Sequence, residues 1–285
     1  MRALKKILKR IFITIILIPA ICFGIFAYSI YVEPNLLSVK NIEINNSSNI
    51  KNEDTIKIAQ ISDIHLGEYY AIDKLEKLVN KVNSQNADII VFTGDLFDNV
   101  SKFEDTSKVV PILKKLNANI GKYAIYGNHD YGGGAKNIYK NVMEDSGFKI
   151  LVNEQANVKL DSGKTMSILG LDDALLGNPD VEKTARNIKG SNYNLLLLHE
   201  PDLSDKFVSY NIDLILAGHS HGGQVKIPFL GEIVTPPLAE KYKDGLYNLN
   251  TKRNTQLYVN SGIGNTKVPF RFMNVPEVSI FEIKA

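Results

Sequence analysis

Residues 56–67 read IKIAQISDIHLG, an apolar run of strand length that ends in an Asp-x-His triplet, Asp63-Ile64-His65. The run is continuous and rich in Ile, the pattern of a strand buried on both faces. Four more runs end the same way. IIVFT (89–93) closes on Gly94-Asp95, and YAIY (123–126) on Gly127-Asn128-His129-Asp130. LLLL (195–198) closes on His199, and LILA (214–217) on Gly218-His219-Ser220-His221-Gly222-Gly223. All five histidines of the chain stand just after such a run.

Helical stripes separate the first three runs. Ile72, Leu75, Leu78, Val79 and Val82 share one helix face, and Val109, Val110, Ile112, Leu113 and Leu116 another, with Pro111 leaving its limits open. Ala135, Ile138, Tyr139, Val142 and Met143 predict a third helix. Further strands are expected at Met166–Leu171, Asn194–Leu198, Gln256–Asn260 and Val278–Ile283. Alternating strands and helices give an α/β layered fold. The strand-rich second half suggests two packed sheets flanked by helices.

Neighbouring strands deliver their carboxyl ends to one edge, where α/β sites form. Asp63 and His65, two residues apart in an extended segment, point the same way, and His219 and His221 repeat the spacing. One histidine after a strand is ordinarily structural. Here none is left over for that role, so the set is read as a metal site. Imidazole with carboxylate suits Mn, Fe, Zn or Co better than Ca.

The amino terminus is different in kind. Residues 1–10 carry five basic residues and no acid, and Ile11 to Val32 are 22 residues without charge. At about 1.5 Å per residue they reach ~33 Å, enough to cross a bilayer. A single-pass anchor in the cell membrane is expected, the basic tail cytoplasmic and the rest extracytoplasmic. A cleaved signal peptide is the rival, with Ala27-Tyr28-Ser29 as the processing site. Residues 33–54 read as a linker, polar and Asn/Ser-rich, with one short strand at Val39–Ile44. Residues 55–285 are expected to form the main domain.

With five of the 33 basic residues in the anchor region, the remaining chain has 28 against 31 acidic residues, a net of −3. That balance gives no bulk attraction for nucleic acid, and no stable nucleic-acid partner is expected. The one cysteine, Cys22, lies in the apolar run, which excludes a disulfide, a thiolate zinc site or a Cys nucleophile in the main domain. Oligomeric state is not readable.

Taken in order, D-x-H, GDxxD, GNHD, H and GHxH resemble the calcineurin-like metallophosphoesterases. ISDIHLG, GHSHGGQ and the late VPFRFMNVPE resemble the bacterial membrane-anchored YkuE/YaeI-type branch. The resemblance runs from about Ile56 to the C-terminus. It implies a four-layer α/β/β/α sandwich of two mixed sheets and two divalent metal ions. Asp63, His65 and His221 would hold the first ion, Asn128, His199 and His219 the second, and Asp95 would bridge them. A metal-bound hydroxide would attack phosphorus, and His129 would protonate the leaving oxygen. Asp98 of GDLFD matches the acid that orients this histidine, with Asp130 as its rival.

Weaker candidates remain. Arg271 is a phosphate clamp or a structural residue. Gly132-Gly133-Gly134 is a phosphate cradle or a flexible start to the next helix. Leu66, Tyr69 and Tyr70 line the substrate's approach or form an exposed turn. The expected substrate is a phosphate ester, a phosphodiester that is lipid-linked or of the cell envelope. Nucleotides and nucleic acids are the alternative, and a non-catalytic metal-binding module is the reading from another class.

Overall fold

The computed structural model describes residues 2–44, 55–232 and 234–284. Helix α1 (Arg2–Tyr31) is continuous through the basic tail and through Pro19. A 3₁₀ turn, Glu33–Asn35, leads to β1 (Ser38–Glu43). Then come β2 (Thr55–Ile61), α2 (Ile72–Asn83), β3 (Ile89–Phe92), α3 (Thr106–Leu113), β4 (Gly121–Ala124), α4 (Asn128–Tyr131), α5 (Ala135–Asp145) and β5 (Phe148–Ile150). The second half holds β6 (Glu154–Lys159), β7 (Thr165–Gly170), α6 (Val181–Ala185), β8 (Tyr193–Leu197), β9 (Leu214–Ala217), β10 (Lys226–Ile227), β11 (Gly231–Glu232), β12 (Gly245–Asn248), β13 (Gln256–Val259) and β14 (Glu277–Lys284).

Two six-stranded sheets dominate. The first runs β1-β14-β2-β3-β4-β5 and the second β12-β13-β9-β8-β7-β6. Both are mixed. In the first only the β14–β2 pair is antiparallel, and in the second only the outer pairs β12–β13 and β7–β6.

Side-chain alternation explains why the sheets stack. In β3, Ile89 and Val91 point into the core between the sheets, while Ile90 and Phe92 point to the helices. All four are buried, which is why the run reads as uninterrupted apolar residues rather than an alternation. Ile58, Leu195, Leu197, Leu214, Leu216 and Phe281 fill the inter-sheet layer. Leu75, Leu78, Val79 and Val82 of α2 close the outer face of the first sheet, with Val109 and Ile112 of α3 and Tyr139 and Met143 of α5. The outer face of the second sheet has a thinner cover. Leu196, Ile215 and Val259 pack against Ala185 of α6 and against Leu203 and Phe207 of a 3₁₀ segment, Pro201–Phe207.

The expected linker divides at residue 44. The strand expected at Val39–Ile44 is β1, which pairs in parallel register with the C-terminal β14 from Ser38↔Glu277 to Glu43↔Glu282. Residues 45–54, the Asn/Ser-rich stretch, lie outside the described residues. The end of α1 is itself docked. Ser29 and Glu33 are buried, the Ser29 carbonyl accepts from Arg271 N at 3.0 Å, and Glu33 Oε1 accepts from Asn274 N.

Candidate metal centre

β2, β3 and β4 of the first sheet and β8 and β9 of the second end at one edge, and the loops that follow carry Asp63, His65, Asp95, Asn128, His199, His219 and His221. His65 Nε2 and His221 Nε2 are 3.0 Å apart. Asp63 Oδ1 lies 3.5 Å from the latter and 3.9 Å from the former. His199 Nε2 and His219 Nδ1 are 3.2 Å apart. Asp95 Oδ2 sits between these two groups, 3.5 Å from His65 Nε2 and 3.3 Å from His199 Nε2.

The structure brings Asp63, His65 and His221 together, and Asp95 with His199 and His219, but the local geometry differs from that expected. β2 stops at Ile61, and Asp63 and His65 have φ of 51° and 48°. His219, His221 and Asp95 are also left-handed, at 68°, 50° and 63°. The i, i+2 pairs therefore converge through tight left-handed turns and not through an extended segment. Such backbone costs of order 1–3 kcal/mol per residue, although Asp, Asn and His adopt it more readily than most.

A hydrogen-bonded frame holds these turns. Gln60 Nε2 donates to Thr93 Oγ1 at 3.0 Å and to Ala217 O at 2.9 Å, tying β2, β3 and β9 together. Thr93 Oγ1 donates to Ser62 Oγ (2.7 Å), which donates to Asp63 Oδ2 (2.5 Å). His219 N completes the grip on that carboxylate at 3.0 Å. Gly218 has to be glycine here. A Cβ would fall 2.1 Å from Ser62 Oγ and 2.5 Å from Asp63 Oδ2. Gly218→Ala is expected to push Asp63 aside and weaken Mn(II) affinity about 10–100-fold, measurable by titration of metal-stripped protein. Unchanged affinity would mean that Asp63 is not held for the metal.

Ring tautomers follow from the outer partners. His199 Nδ1 is 2.7 Å from Thr93 O, and His219 Nε2 is 2.9 Å from Pro237 O. Carbonyls only accept, so both outer nitrogens carry hydrogens. In the neutral rings the two inner nitrogens are then bare lone pairs 3.2 Å apart, an arrangement that a cation satisfies. Asn128 Oδ1 is likewise buried and without a donor. The residues therefore fit a metal.

Electrostatics point the same way. Burial, with the charge of His199, pushes His219 down to about 4. Burial, with His65 and Arg271, holds His221 well below the usual imidazole range. Burial alone would raise Asp95, but His199, His129 and His65 around it hold it well below the carboxylate range. His199 moves up: burial opposes it, yet Asp95 and Asp63 outweigh that penalty.

His129 reaches the site through different atoms than expected. Its Nδ1 donates to the backbone carbonyl of Asp98 at 2.7 Å. The Asp98 carboxylate is 3.9 Å from that nitrogen, but 3.5 Å from His65 Nδ1, and it accepts from Thr266 Oγ1 at 3.0 Å. Asp130 is not a rival partner. Its buried carboxylate accepts from the backbone N–H of Asp95 (2.7 Å), Leu96 (2.9 Å) and Gly127 (2.9 Å), fixing the two loops that carry Asp95 and Asn128.

The structure decides among the weaker candidates. Arg271 is not free to clamp a phosphate. It is wholly buried and donates to Asn265 Oδ1 and to the carbonyls of Ser261, Gly264 and Asn274. It braces the loop behind His221, whose Nδ1 lies 3.5 Å from Nη2. Leu66 and Tyr70 belong to the core under α2 and line no approach. Gly132–Gly134 form a 3₁₀ turn running into α5, with Gly133 and Gly134 left-handed. Asp172 and Asp173 are buried; Asp172 accepts from Tyr131 Oη and Asp173 from the N–H of Leu176 and Gly177. Thr266, which the sequence reading missed, sits in a segment with no histidine or acid to flag it.

A cavity of about 570 Å³ opens above the cluster. Asp95, Asn128, His129, His219 and His221 form its polar floor, and Leu175, Val225, Val234, Pro236, Val268 and Phe270 are among its apolar walls.

Residues 56–223 match the family model described as calcineurin-like phosphoesterase. Over 262 residues, 92% of this chain and 91% of the relative, the chain is 39% identical to the uncharacterized metallophosphoesterase YkuE of Bacillus subtilis (strain 168). It is 32% identical to the uncharacterized metallophosphoesterase Cj0846 of Campylobacter jejuni over 86% of this chain and 63% of that protein. A more distant relative, at 26% identity over 88% of this chain and 90% of its own length, is the UDP-2,3-diacylglucosamine pyrophosphatase LpxG of Chlamydia muridarum.

Proposed function

The chain belongs to the calcineurin-like phosphoesterase family, and on that premise we propose that it hydrolyses a phosphodiester with two divalent cations. Asp63, His65 and His221 hold one cation, Asn128, His199 and His219 the other, and Asp95 stands between them. The single observation that carries this reading is the pair of inner ring nitrogens, His199 Nε2 and His219 Nδ1, facing each other at 3.2 Å with Asp95 Oδ2 3.3 Å from the first. Nitrogen and oxygen donors suit Mn, Fe, Zn or Co. Cations so held polarise phosphoryl oxygens and lower the pKa of bound water.

The chain's own groups supply the rest. Asp95 Oδ1 accepts from His129 N at 2.8 Å, which couples the bridging carboxylate to the general acid. With His129 Nδ1 tied to the Asp98 carbonyl, Nε2 is the nitrogen left to hand a proton to the leaving oxygen. Asp98 is a positioning residue, bracing His129 by its backbone and His65 by its carboxylate. The apolar helix and the likeness to a pyrophosphatase named for a diacylated sugar nucleotide support a lipid-linked substrate. The five basic residues at the start of α1 favour a cytoplasmic tail with the domain on the opposite side.

The test uses the full chain in detergent, stripped with chelator and reloaded with Mn(II). Hydrolysis of bis(p-nitrophenyl) phosphate should rise with bound metal, measured by plasma mass spectrometry, until two ions per chain are present. Metal-loaded protein inactive on a broad panel of phosphate esters, or saturating at one ion, would refute the proposal.

A further inference from the structure

The hairpin of β10 and β11 carries two large apolar side chains at its tip. Phe229 is fully exposed, and Leu230 is 77% exposed. Phe229 also has φ of 69°, a bulky residue held left-handed in the open. Ile227 and Val234 are exposed as well, and Val234 carries the strip back into the cavity wall. Single exposed apolar residues need no explanation, but four among the eight positions 227–234 mark an interaction surface.

What covers it follows from its connections. Lys226 N donates to Phe272 O (2.9 Å) and Phe272 N to Gln224 O (3.0 Å), so the hairpin springs from the 270–273 segment. That same segment receives the membrane-length helix. Arg271 N donates to Ser29 O at 3.0 Å, and the rings of Phe270 and Phe26 lie 6.5 Å apart. Phe270 is also a wall of the cavity. Helix, hairpin and catalytic mouth thus share one short stretch of chain. Exposed Met273 extends the apolar face beside it, and Lys267 at the rim places a cation where headgroup phosphates lie.

We propose that the Lys226–Glu232 hairpin inserts its tip into the bilayer beside the anchor. The apolar wall of the cavity then continues the lipid phase up to the metal centre. The substrate is an amphiphile that presents its phosphate to the floor while its chains stay against Val225, Val234, Val268 and Phe270. This proposal rests on α1 being retained as an anchor and on the cavity being the catalytic mouth.

The chain contains no tryptophan, so Phe229→Trp gives a single reporter. Full-length F229W is reconstituted in phosphatidylglycerol–phosphatidylethanolamine vesicles with and without acyl-brominated lipid. Bromine should quench it and leave unquenched Ile138→Trp on α5, beside the strand at the sheet edge opposite β1. No quenching at position 229 overturns insertion whether or not the protein is an enzyme. In a second arm, Phe229→Ser/Leu230→Ser is assayed on p-nitrophenyl methyl phosphate in solution and on p-nitrophenyl hexadecyl phosphate in the same vesicles. Loss of about tenfold or more on the long-chain ester alone is expected. Equal rates on both esters, or equal losses, would overturn the proposal. Quenching of F229W together with a wild-type chain that hydrolyses neither ester would sink the enzymatic reading and leave the docking surface standing.

Discussion

Asp95→Asn is expected to cut hydrolysis of bis(p-nitrophenyl) phosphate by about 10²–10⁴-fold and to lower bound metal at both positions together. The substitution keeps the shape, and its side-chain oxygen can still accept from His129 N. It removes only the charge. Asp95 Oδ2 is within 3.5 Å of a ring nitrogen from each histidine group, and the residue is almost wholly buried. Breaking a buried charge pair by removing one partner costs about 3–5 kcal/mol, and each 1.4 kcal/mol is roughly tenfold. Because one carboxylate serves both groups, the metal content should fall in step rather than by one ion. Mass spectrometry of metals beside the assay decides it. Retention of one full equivalent would show that Asp95 belongs to a single site.

His129→Ala should behave differently. The metal content should stay that of the parent, since its Nδ1 is already tied to the Asp98 carbonyl at 2.7 Å. Turnover should fall by about 10²–10⁴-fold, the usual contribution of a positioned acid. The deficit should grow as the leaving group becomes more basic, because nitrophenolate departs without help and an alkoxide does not. A series of aryl and alkyl methyl phosphates measures this directly. A loss of the same size for every leaving group would assign His129 to binding the phosphate and not to proton delivery.

The layered fold was legible because β3, β8 and β9 are buried on both faces, so that Ile89–Phe92 and Leu214–Ala217 stand out as unbroken apolar runs. The candidate ligands were legible because each follows an apolar run. What the sequence could not carry was backbone detail. Asp63 and His65 meet through left-handed turns, and a spacing of two cannot distinguish these from an extended segment. Asp98 was chosen for its carboxylate, yet its carbonyl holds His129, a contact that any residue type could make. Arg271 could be read as a phosphate ligand or a structural residue, and the 261–274 loop that buries it decides for the second, a matter of long-range packing. Phe229 and Leu230 escaped notice for the reverse reason, since in the string VKIPFLGEIV they look like core.

The left-handed turns at Asp63, His65, Asp95, His219 and His221 have an evolutionary corollary. They put left-handed backbone at the reactive edge, where glycine or asparagine would sit more easily. A descendant released from selection for the reaction should therefore drift toward those residues and become sturdier as it falls idle.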